Sequence, residues 1–347
     1  KSLHVRTQEV YLMAVWTEEN PLKIFVTVGT NHNNFKRMLD MVDECLTFLE
    51  MPYILNVQYG TSTPYVLKEG QKGQSKSMYP REETQKLVAD ADLVFSHCGI
   101  GSIYNALVEN KPTIIIPRLH KFSEFSDDHQ LQIAKEIKQN PMILMLDEQV
   151  NKQEFLAFFK EKVPQPKMEV DLKNPELAHF IKSRLLDDIQ GENKDVLTIV
   201  SAGGHMTQAL CIMPHIERFH LVTSLNTGLD VGAASYHFIE DTQFSAWVHF
   251  KNFFSALNII RKVKPAALFS TGGPICLPFA LAAKLLGKKF IYLDTLSRVE
   301  DLSNTARFLN KHNLASEIYV QWEHHTKKYP KLSYHGKTFD ICGENLK

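Results

Sequence analysis

The run from Ala91 to Pro117, ADLVFSHCGIGSIYNALVENKPTIIIP, constrains the fold more than any other stretch of the chain. A short apolar segment, Leu93 to Phe95, leads into Ser96-His97-Cys98-Gly99-Ile100-Gly101. From Ser102 onward Ile103, Ala106 and Leu107 share one helical face, until Lys111-Pro112 breaks the pattern and the β-branched run Thr113 to Ile116 begins. The order is strand, glycine loop, helix, strand. Gly99 and Gly101 let the backbone bend sharply and let a ligand approach it, and Ser102 is placed to cap the helix. The first-turn amides of such a helix lack intrahelical partners and its dipole puts partial positive charge at the loop, so an anion, above all a diphosphate, is the expected ligand. Two glycines between strand and helix also serve plain tight turns. The next strand end adds weight to the ligand reading. Arg118-Leu119-His120 follows it, and Asp127-Asp128-His129-Gln130 opens a further helical pattern through Leu131, Ile133, Ala134 and Ile137. Ligands of open parallel sheets sit at the carboxyl ends of strands.

The flanking chain repeats this grammar. Residues 1–20 have no clear period, with a short element expected over Val10 to Trp16, and are read as an N-terminal extension. A buried-strand run Lys23 to Val28 ends at Gly29-Thr30, and an amphipathic helix over Phe35 to Leu49 and a strand over Tyr53 to Tyr59 follow. A helix over Glu82 to Ala91 precedes the central stretch, and a strand over Met142 to Leu146 and a helix over Lys152 to Lys162 come after it. Alternating β and α units predict a parallel sheet covered on both faces, assigned to a first domain over 21–164. Pro164, Pro166 and Pro175, one helix over Glu176 to Leu186 and the polar run Gln190-Gly191-Glu192-Asn193-Lys194 suggest a linker over 165–194. A second domain, 195–347, then restarts with strand Val196 to Ser201, a glycine turn Ala202-Gly203-Gly204-His205 and helix Met206 to Pro214. Strands follow at Leu221 to Thr223, at Ala266 to Ser270 before Thr271-Gly272-Gly273-Pro274, at Phe290 to Leu293 before Asp294, Ser297 and Arg298, and at Ile318 to Gln321 before Trp322-Glu323. The fold class expected is α/β, with two Rossmann-like domains facing a cleft.

Composition narrows the function classes. The 347 residues are 44% hydrophobic and 22% charged with a formal charge of zero, the profile of a soluble globular protein with two cores and a poor match to bulk nucleic-acid binding. From Asp195 onward Lys and Arg outnumber Asp and Glu by 16 to 12, a mild excess that suits an anionic membrane surface or a solvated face. Cys45, Cys98, Cys211, Cys276 and Cys342 are odd in number and far apart, which reads as reduced thiols and neither disulfides nor a zinc site. The longest apolar run, Ile275 to Leu286, is too short to span a membrane, and no signal peptide is recognisable. Phe244 to Lys264 carries Trp247, Phe250, Phe253 and Phe254 ahead of Arg261, Lys262 and Lys264, a pattern shared by interfacial helices and by core helices with basic ends.

KIFVTVGT (Lys23 to Thr30), SHCGIGSIYNALVENKPTIIIPR (Ser96 to Arg118) and DDHQ (Asp127 to Gln130) resemble the donor-binding half of inverting GT-B glycosyltransferases of the MurG type. The likeness extends to the small catalytic subunit of bacterial exopolysaccharide β-1,4-glucuronosyltransferases and to the related eukaryotic N-acetylglucosaminyltransferase acting on dolichol-linked sugar. VSAGGHMTQ (Val200 to Gln208), LFSTGGPICLPFALAAKLLG (Leu268 to Gly287), YLDTLSRVEDLSNTARFL (Tyr292 to Leu309) and YVQWE (Tyr319 to Glu323) resemble the partner subunit with the acceptor-side domain. The donor half comes first, as if two subunits had been fused. The resemblance implies a UDP-sugar donor as co-substrate with no cofactor or metal, a lipid-diphosphate-linked sugar acceptor, other polysaccharide-assembly enzymes as partners, and work at the cytoplasmic face of a membrane.

That chemistry displaces a nucleoside diphosphate from a sugar C1 by an acceptor hydroxyl, with inversion. The donor set is then Gly29, Thr30, Ser96, His97, Gly99, Ile100, Gly101, Ser102 and Asn105, the last standing where relatives hold the ribose with Glu, together with Asp128, His129 and Gln130 for the sugar. Arg118 is suited to a bidentate pair with a sugar carboxylate. Asn105 and the pattern of Pro117-Arg118 followed by Asp128-His129-Gln130 resemble the exopolysaccharide branch more, which makes UDP-glucuronate the preferred donor and UDP-N-acetylglucosamine the alternative. His205 is the expected general base and Asp294 a second one; Gly203, Gly204, Thr271, Gly272, Gly273, Arg298 and Glu323 would hold the acceptor. Each has a plainer structural role open to it: helix cap, strand-end turn or solvated charge. A non-catalytic nucleotide-sugar-binding scaffold and an epimerase of the same build are the other function classes that the sequence allows.

Overall fold

The computed structural model describes residues 16–164, 170–224, 230–241 and 245–343; the expected elements over Val10 to Val15, and Pro166 and Phe244, lie outside them. The chain divides into two compact units, one running to Leu172 and taking back the segment from Ile341, the other spanning Lys173 to Asp340.

In the first unit six strands, β1 (Leu22–Thr27), β2 (Tyr53–Gln58), β3 (Lys72–Lys76), β4 (Leu93–His97), β5 (Thr113–Ile116) and β6 (Ile143–Met145), form one sheet in the order β3-β2-β1-β4-β5-β6. All pairings are parallel, with Ile24 opposite Leu93 and Thr27 opposite Ser96 across the central pair. The helices are α1 (Lys36–Leu46), α2 (Arg81–Asp90), α3 (Ile100–Val108), α4 (His129–Ile137) and α5 (Lys152–Lys162). Side chains alternate across the sheet, so Ile24, Val26, Leu93 and Phe95 enter one core with α1 and α5 while Phe25 and Val94 enter the other with Val88 and Ala106. Each such aliphatic or aromatic side chain buried contributes roughly 1.5–3 kcal/mol. β3 escapes a pattern reading because its sequence, KGQSK, is polar and exposed; it exists as an edge strand, with Gly73 so close to Leu55 that a Cβ would lie 1.9 Å from the Leu55 carbonyl oxygen.

The second unit has seven parallel strands, β7 (Val196–Val200), β8 (Phe219–Thr223), β9 (Tyr236–Phe238), β10 (Ala267–Gly272), β11 (Lys289–Leu293), β12 (Glu317–Val320) and β13 (Ser333–Tyr334), in the order β13-β12-β11-β10-β7-β8-β9. Its helices are α6 (Pro175–Leu186), α7 (Gly204–Ile212), α8 (Ala246–Val263), α9 (Cys276–Leu285), α10 (Asn304–His312) and the single turn α11 (His325–Lys328). Leu197, Ile199 and Leu268 point into a core with α8, α9 and α10, and Val196, Val200 and Phe269 into one with α6 and α7. Helix α6, capped by the Asn174 side chain and starting at Pro175, buries Leu177, Ile181 and Leu185 in that second core. The helix assigned to a linker therefore belongs to the second unit, and the exposed run Gln190 to Lys194 is a surface turn inside it, so this unit starts at Lys173 instead of Asp195.

Both sheets are Rossmann-like. Counted within its own unit, the first has the strand order 3-2-1-4-5-6 and the second 3-2-1-4-5-6-7, the order of connection reversing between the first and fourth strands, β1/β4 and β7/β10. The loops after these four strands are where such a sheet offers a ligand site.

Candidate functional site

At the first switch point Gly29 follows β1 and His97 closes β4. The His97 ring lies against two glycines: a Cβ on Gly29 would be 2.4 Å from its Cε1, and one on Gly99 would be 2.1 Å from its Nε2. Gly29 also has φ +78, whereas Gly99 has φ −94, so Gly99 is required by space alone. The Nδ1 of His97 is enclosed without a hydrogen-bond partner. Burial first, and the charge of Arg118 second, lower the His97 pKa to about 3, so the ring is neutral at physiological pH.

Helix α3 starts directly beyond. Its N-cap is Gly99, which has no side chain to offer, so the expected cap by Ser102 is not made; Ser102 and Asn105 are half-buried within the helix. The amides of Ile100, Gly101 and Ser102 occupy the first turn, where the helix itself supplies no acceptor. Ile100 contributes its amide only, because its side chain is 3% exposed. Thr30 is exposed just past Gly29. Ser96 is fully buried and donates to the His97 carbonyl, which removes its hydroxyl from any ligand.

Arg118 corrects the expectation placed on it. Its side chain is fully buried; Nη1 donates to the carbonyls of Asn33 (2.9 Å) and Glu124 (3.3 Å), Nη2 donates to the Val28 carbonyl (2.9 Å), and the guanidinium lies over the Phe35 ring. Burial lowers its pKa to about 10, with Glu124 opposing, so it stays charged. It ties the ends of β1 and β5 to the loop before α4, and although its Nε has no partner, full burial keeps the guanidinium from a sugar carboxylate at the surface. Gln130 is likewise turned inward, its Oε1 accepting from the Arg118 amide at 3.1 Å. Asp128 accepts from the His120 amide at 2.7 Å in place of capping α4. His129, beside Asp127 at 2.5 Å, is the member of the triplet that is half-buried at the helix start. Arg37 and Glu124 were missed by sequence reasoning: they pair through Nε–Oε1 (2.9 Å) and Nη2–Oε2 (2.8 Å), and Glu124 also accepts from the Leu119 amide. Arg37 did leave a signal, since it is four residues before Met41 and eight before Cys45 on the buried stripe of α1.

At the second switch point Gly203, with φ +81, is the N-cap of α7, and Gly204 and His205 form its first turn. His205 Nδ1 lies 3.0 Å from the Thr271 carbonyl, and the Thr271 hydroxyl donates back to the His205 carbonyl at 2.7 Å. A carbonyl only accepts, so the proton is on Nδ1 and Nε2 carries the lone pair, the tautomer a general base needs. The ring rests on Gly272, where a Cβ would be 2.3 Å from Nδ1, and Gly273 packs on Ser201. Asp294, by contrast, is 1% exposed and its Oδ2 accepts from the Ser303 amide at 3.0 Å; burial raises its pKa, with Ser303 opposing. It fastens the turn after β11 to the start of α10, and its burial denies it the contact with an acceptor hydroxyl that a base needs. Arg298 is half-buried in that turn, Glu323 is exposed, and Trp322 is core with its indole donating to the Leu296 carbonyl. Below them is a buried amide pair missed in the sequence: Gln208 Oε1 accepts from the Leu296 amide (2.9 Å) and from Gln321 Nε2 (2.6 Å), and Gln321 also donates to the Asp294 carbonyl (2.7 Å). Among the described residues no group of three or more His, Cys, Asp or Glu is placed to hold a metal ion, and no helix is long and apolar enough to cross a membrane.

Residues 23–178 match the family model described as "Glycosyltransferase family 28 C-terminal domain", and residues 236–338 match "Oligosaccharide biosynthesis protein Alg14 like". The chain is similar to the UDP-N-acetylglucosamine transferase subunit ALG14 of Homo sapiens, 34% identical over 102 residues that make up 28% of this chain and 43% of the relative. It is similar to ALG14 of Yarrowia lipolytica, 31% identical over 91 residues, 24% of this chain and 41% of the relative. The chain thus spans less than half the length of these curated relatives. Acinetobacter baumannii MurG is a structural neighbour at a TM-score of 0.35 and 19% identity, covering 42% of this chain and 46% of that one. The two matches, in that order along the chain, support the glycosyltransferase and Alg14 side of the sequence resemblance. The exopolysaccharide glucuronosyltransferase pair and its glucuronate donor gain no support from these matches, and the buried Arg118 is not presented to a sugar carboxylate.

Proposed function

We propose that this protein transfers N-acetylglucosamine from UDP-N-acetylglucosamine to a lipid-diphosphate-linked sugar, the first unit binding the donor and the second the acceptor. The observation that carries the reading is the uncapped start of α3 at the β1/β4 switch point, within the family 28 match. Its amides offer the leaving diphosphate charge-stabilising hydrogen bonds that need no metal. Thr30, Ser102, Asn105 and His129 stand around that loop as contacts for ribose and sugar. The neutral His97 ring shapes the floor. In the second unit His205, held in tautomer by Thr271, takes the proton of the acceptor hydroxyl through Nε2.

The similarity to a UDP-N-acetylglucosamine transferase subunit favours this donor over UDP-glucuronate; work at a cytoplasmic membrane face, with other glycan-assembly enzymes as partners, is part of the same proposal. The test is a thermal-shift series followed by a transfer assay on an extracted lipid-linked acceptor. UDP and UDP-N-acetylglucosamine should raise the melting temperature more than UDP-glucuronate, and transfer should survive a chelator. A larger shift with UDP-glucuronate overturns the donor assignment. Conversion of UDP-N-acetylglucosamine without acceptor points to an epimerase, and binding without turnover to a scaffold.

A further inference from the structure

Four polar side chains that sugar transfer does not use meet at the end of the second sheet opposite its switch-point loops. Asp195 immediately precedes β7, His220 is the second residue of β8, Ser235 immediately precedes β9 and His237 lies within it, so all four stand where three neighbouring parallel strands begin. The backbone fixes them there: the Leu221 amide donates to the Ser235 carbonyl at 2.9 Å, the Ala234 amide to the Phe219 carbonyl at 2.8 Å, and the Ala266 amide to the Asp195 carbonyl at 2.8 Å. Ser235 and His237, two apart on an extended segment, direct their side chains to one face. His220 Nε2 lies 3.0 Å from Asp195 Oδ2, His220 Nδ1 lies 2.7 Å from Ser235 Oγ, and Ser235 Oγ lies 2.9 Å from His237 Nε2.

The proton positions follow from the acidic end. The Asp195 carboxylate, which also pairs with Arg218 at 3.2 Å, only accepts, so the His220 proton is on Nε2 and Nδ1 carries the lone pair. Ser235 then donates to Nδ1, and with its one proton engaged its Oγ accepts from His237 Nε2. Burial first, with His220 and Lys262 adding to it, lowers the His237 pKa, so this ring stays neutral. A serine hydroxyl aimed at an imidazole whose other nitrogen is held by a carboxylate is the arrangement that makes an alcohol nucleophilic. His237, on the other side, fixes the direction of the hydroxyl proton and leaves one Oγ lone pair for attack. Fastening β8 to β9 needs none of these titratable groups, since the ladder amides already do it. His220 is buried but Ser235 is half-buried, and Gly232, Ala233 and Ala234 before it carry nothing longer than a methyl group to cover the hydroxyl, which suits a small acyl group.

We propose that Ser235 is an activated nucleophile and that this cluster, separately from sugar transfer, hydrolyses small carboxylic esters. Oγ attacks the ester carbonyl carbon as its proton passes to His220 Nδ1; the bond from that carbon to the alcohol oxygen breaks, and the leaving alcohol takes the proton, which leaves acyl-Ser235. Water then attacks the acyl carbon and gives a proton to His220, and Ser235 recovers it as the carboxylic acid departs. The full chain incubated with p-nitrophenyl acetate tests this. Nitrophenol release should begin with a burst matched by one acetyl group per chain, and peptide mapping should place that group on Ser235, a readout that needs no variant to fold. Ser235→Ala should remove both burst and adduct, His220→Gln should slow acylation by ~10²-fold, and Asp195→Asn should slow it by at least about tenfold. The melting-temperature shift with UDP should match the parent's in all three variants, whatever its size, which keeps this result apart from the donor reading. Acetyl groups on lysines alone overturn the proposal. So does a Ser235 adduct that forms in the His220→Gln and Asp195→Asn variants as fast as in the parent, which would make the cluster a fastening between strand starts and nothing more.

Discussion

The two switch points are built alike and do different things. In each, a histidine ring from one strand end lies on a glycine of the neighbouring one: His97 after β4 on Gly29, and His205 after β7 on Gly272. The strands exchange roles, since the histidine belongs to the fourth strand in the first unit and follows the first strand in the second. Their environments differ more. His97 has an enclosed, unpartnered Nδ1, Arg118 nearby and a pKa lowered to about 3. His205 has its Nδ1 on the Thr271 carbonyl, which leaves Nε2 as the basic nitrogen. The same ring is thus an enclosed neutral group in one unit and, in the other, an imidazole held in one tautomer by a carbonyl, as the proposed base requires.

The comparison breaks most sharply in kinetics. His205→Ala should lower kcat by ~10²–10⁴-fold, the range for losing a general base, with the shift produced by UDP unchanged. His97→Ala should act through donor binding, raising KM and reducing the UDP shift. Asp294→Asn should keep the acid limb of the pH–rate profile in place, since that carboxylate is engaged with Ser303. Steady-state rates and UDP titrations on the three variants decide it. A His97 variant with the kcat loss of the His205 variant would erase the distinction.

Much of this was legible in the chain. Alternating apolar runs and glycine turns yield both sheets, because parallel strands buried on both faces leave a strong hydrophobic signature. The glycine loops, and the place of His205 in the first turn after one of them, were visible for the same reason: a strand end followed by Gly and a helix has few uses. Side-chain direction was not legible. Arg118 and Asp294 both stand just after strands, where a sequence reader expects ligand contacts, yet each turns inward to hold its neighbouring loop. Whether a strand-end charge faces ligand or core depends on partners distant in sequence, such as Val28 and Asn33 for Arg118, and no local period reports them. The Arg37–Glu124 pair, 87 residues apart, was hidden for the same reason. Helix α6 looked like part of a linker because prolines surround it, and only its burial against α7 and β10 assigns it to the second unit.

The glycines give a narrower test. Gly99→Ala faces one obstacle, the His97 ring, because φ −94 suits any residue. It should cost about 1–3 kcal/mol by overpacking, and most of that should return in the double variant with His97→Ala. Gly272→Ala meets the His205 ring and also has φ +130, so His205→Ala should recover only the steric part. Denaturant melts of the two cycles make the comparison. Full rescue at Gly272 would mean that the backbone there tolerates a side chain and that the resemblance between the two histidine seats is closer than drawn.

The smallest effect is a slope of stability with pH. The His97 pKa is lowered from 6.5 to about 3 in the folded chain, so between these values the unfolded chain takes up a proton that the folded one refuses. Its contribution to stability is complete above about pH 6.5 and drains as the pH falls toward 3, at no more than about 1.4 kcal/mol per pH unit. His215, His237, His249 and His325 are lowered too, chiefly by burial, and steepen the same slope. His97→Gln should therefore flatten, without abolishing, the fall in melting temperature between pH 6.5 and pH 4, measured in a buffer series of constant ionic strength. An unchanged slope would mean that the His97 ring takes up its proton in the folded chain as readily as in the unfolded one. The contrast would then rest on which ring contact is made: the Thr271 carbonyl at Nδ1 of His205, against a Thr27 backbone contact and an enclosed, unpartnered Nδ1 for His97.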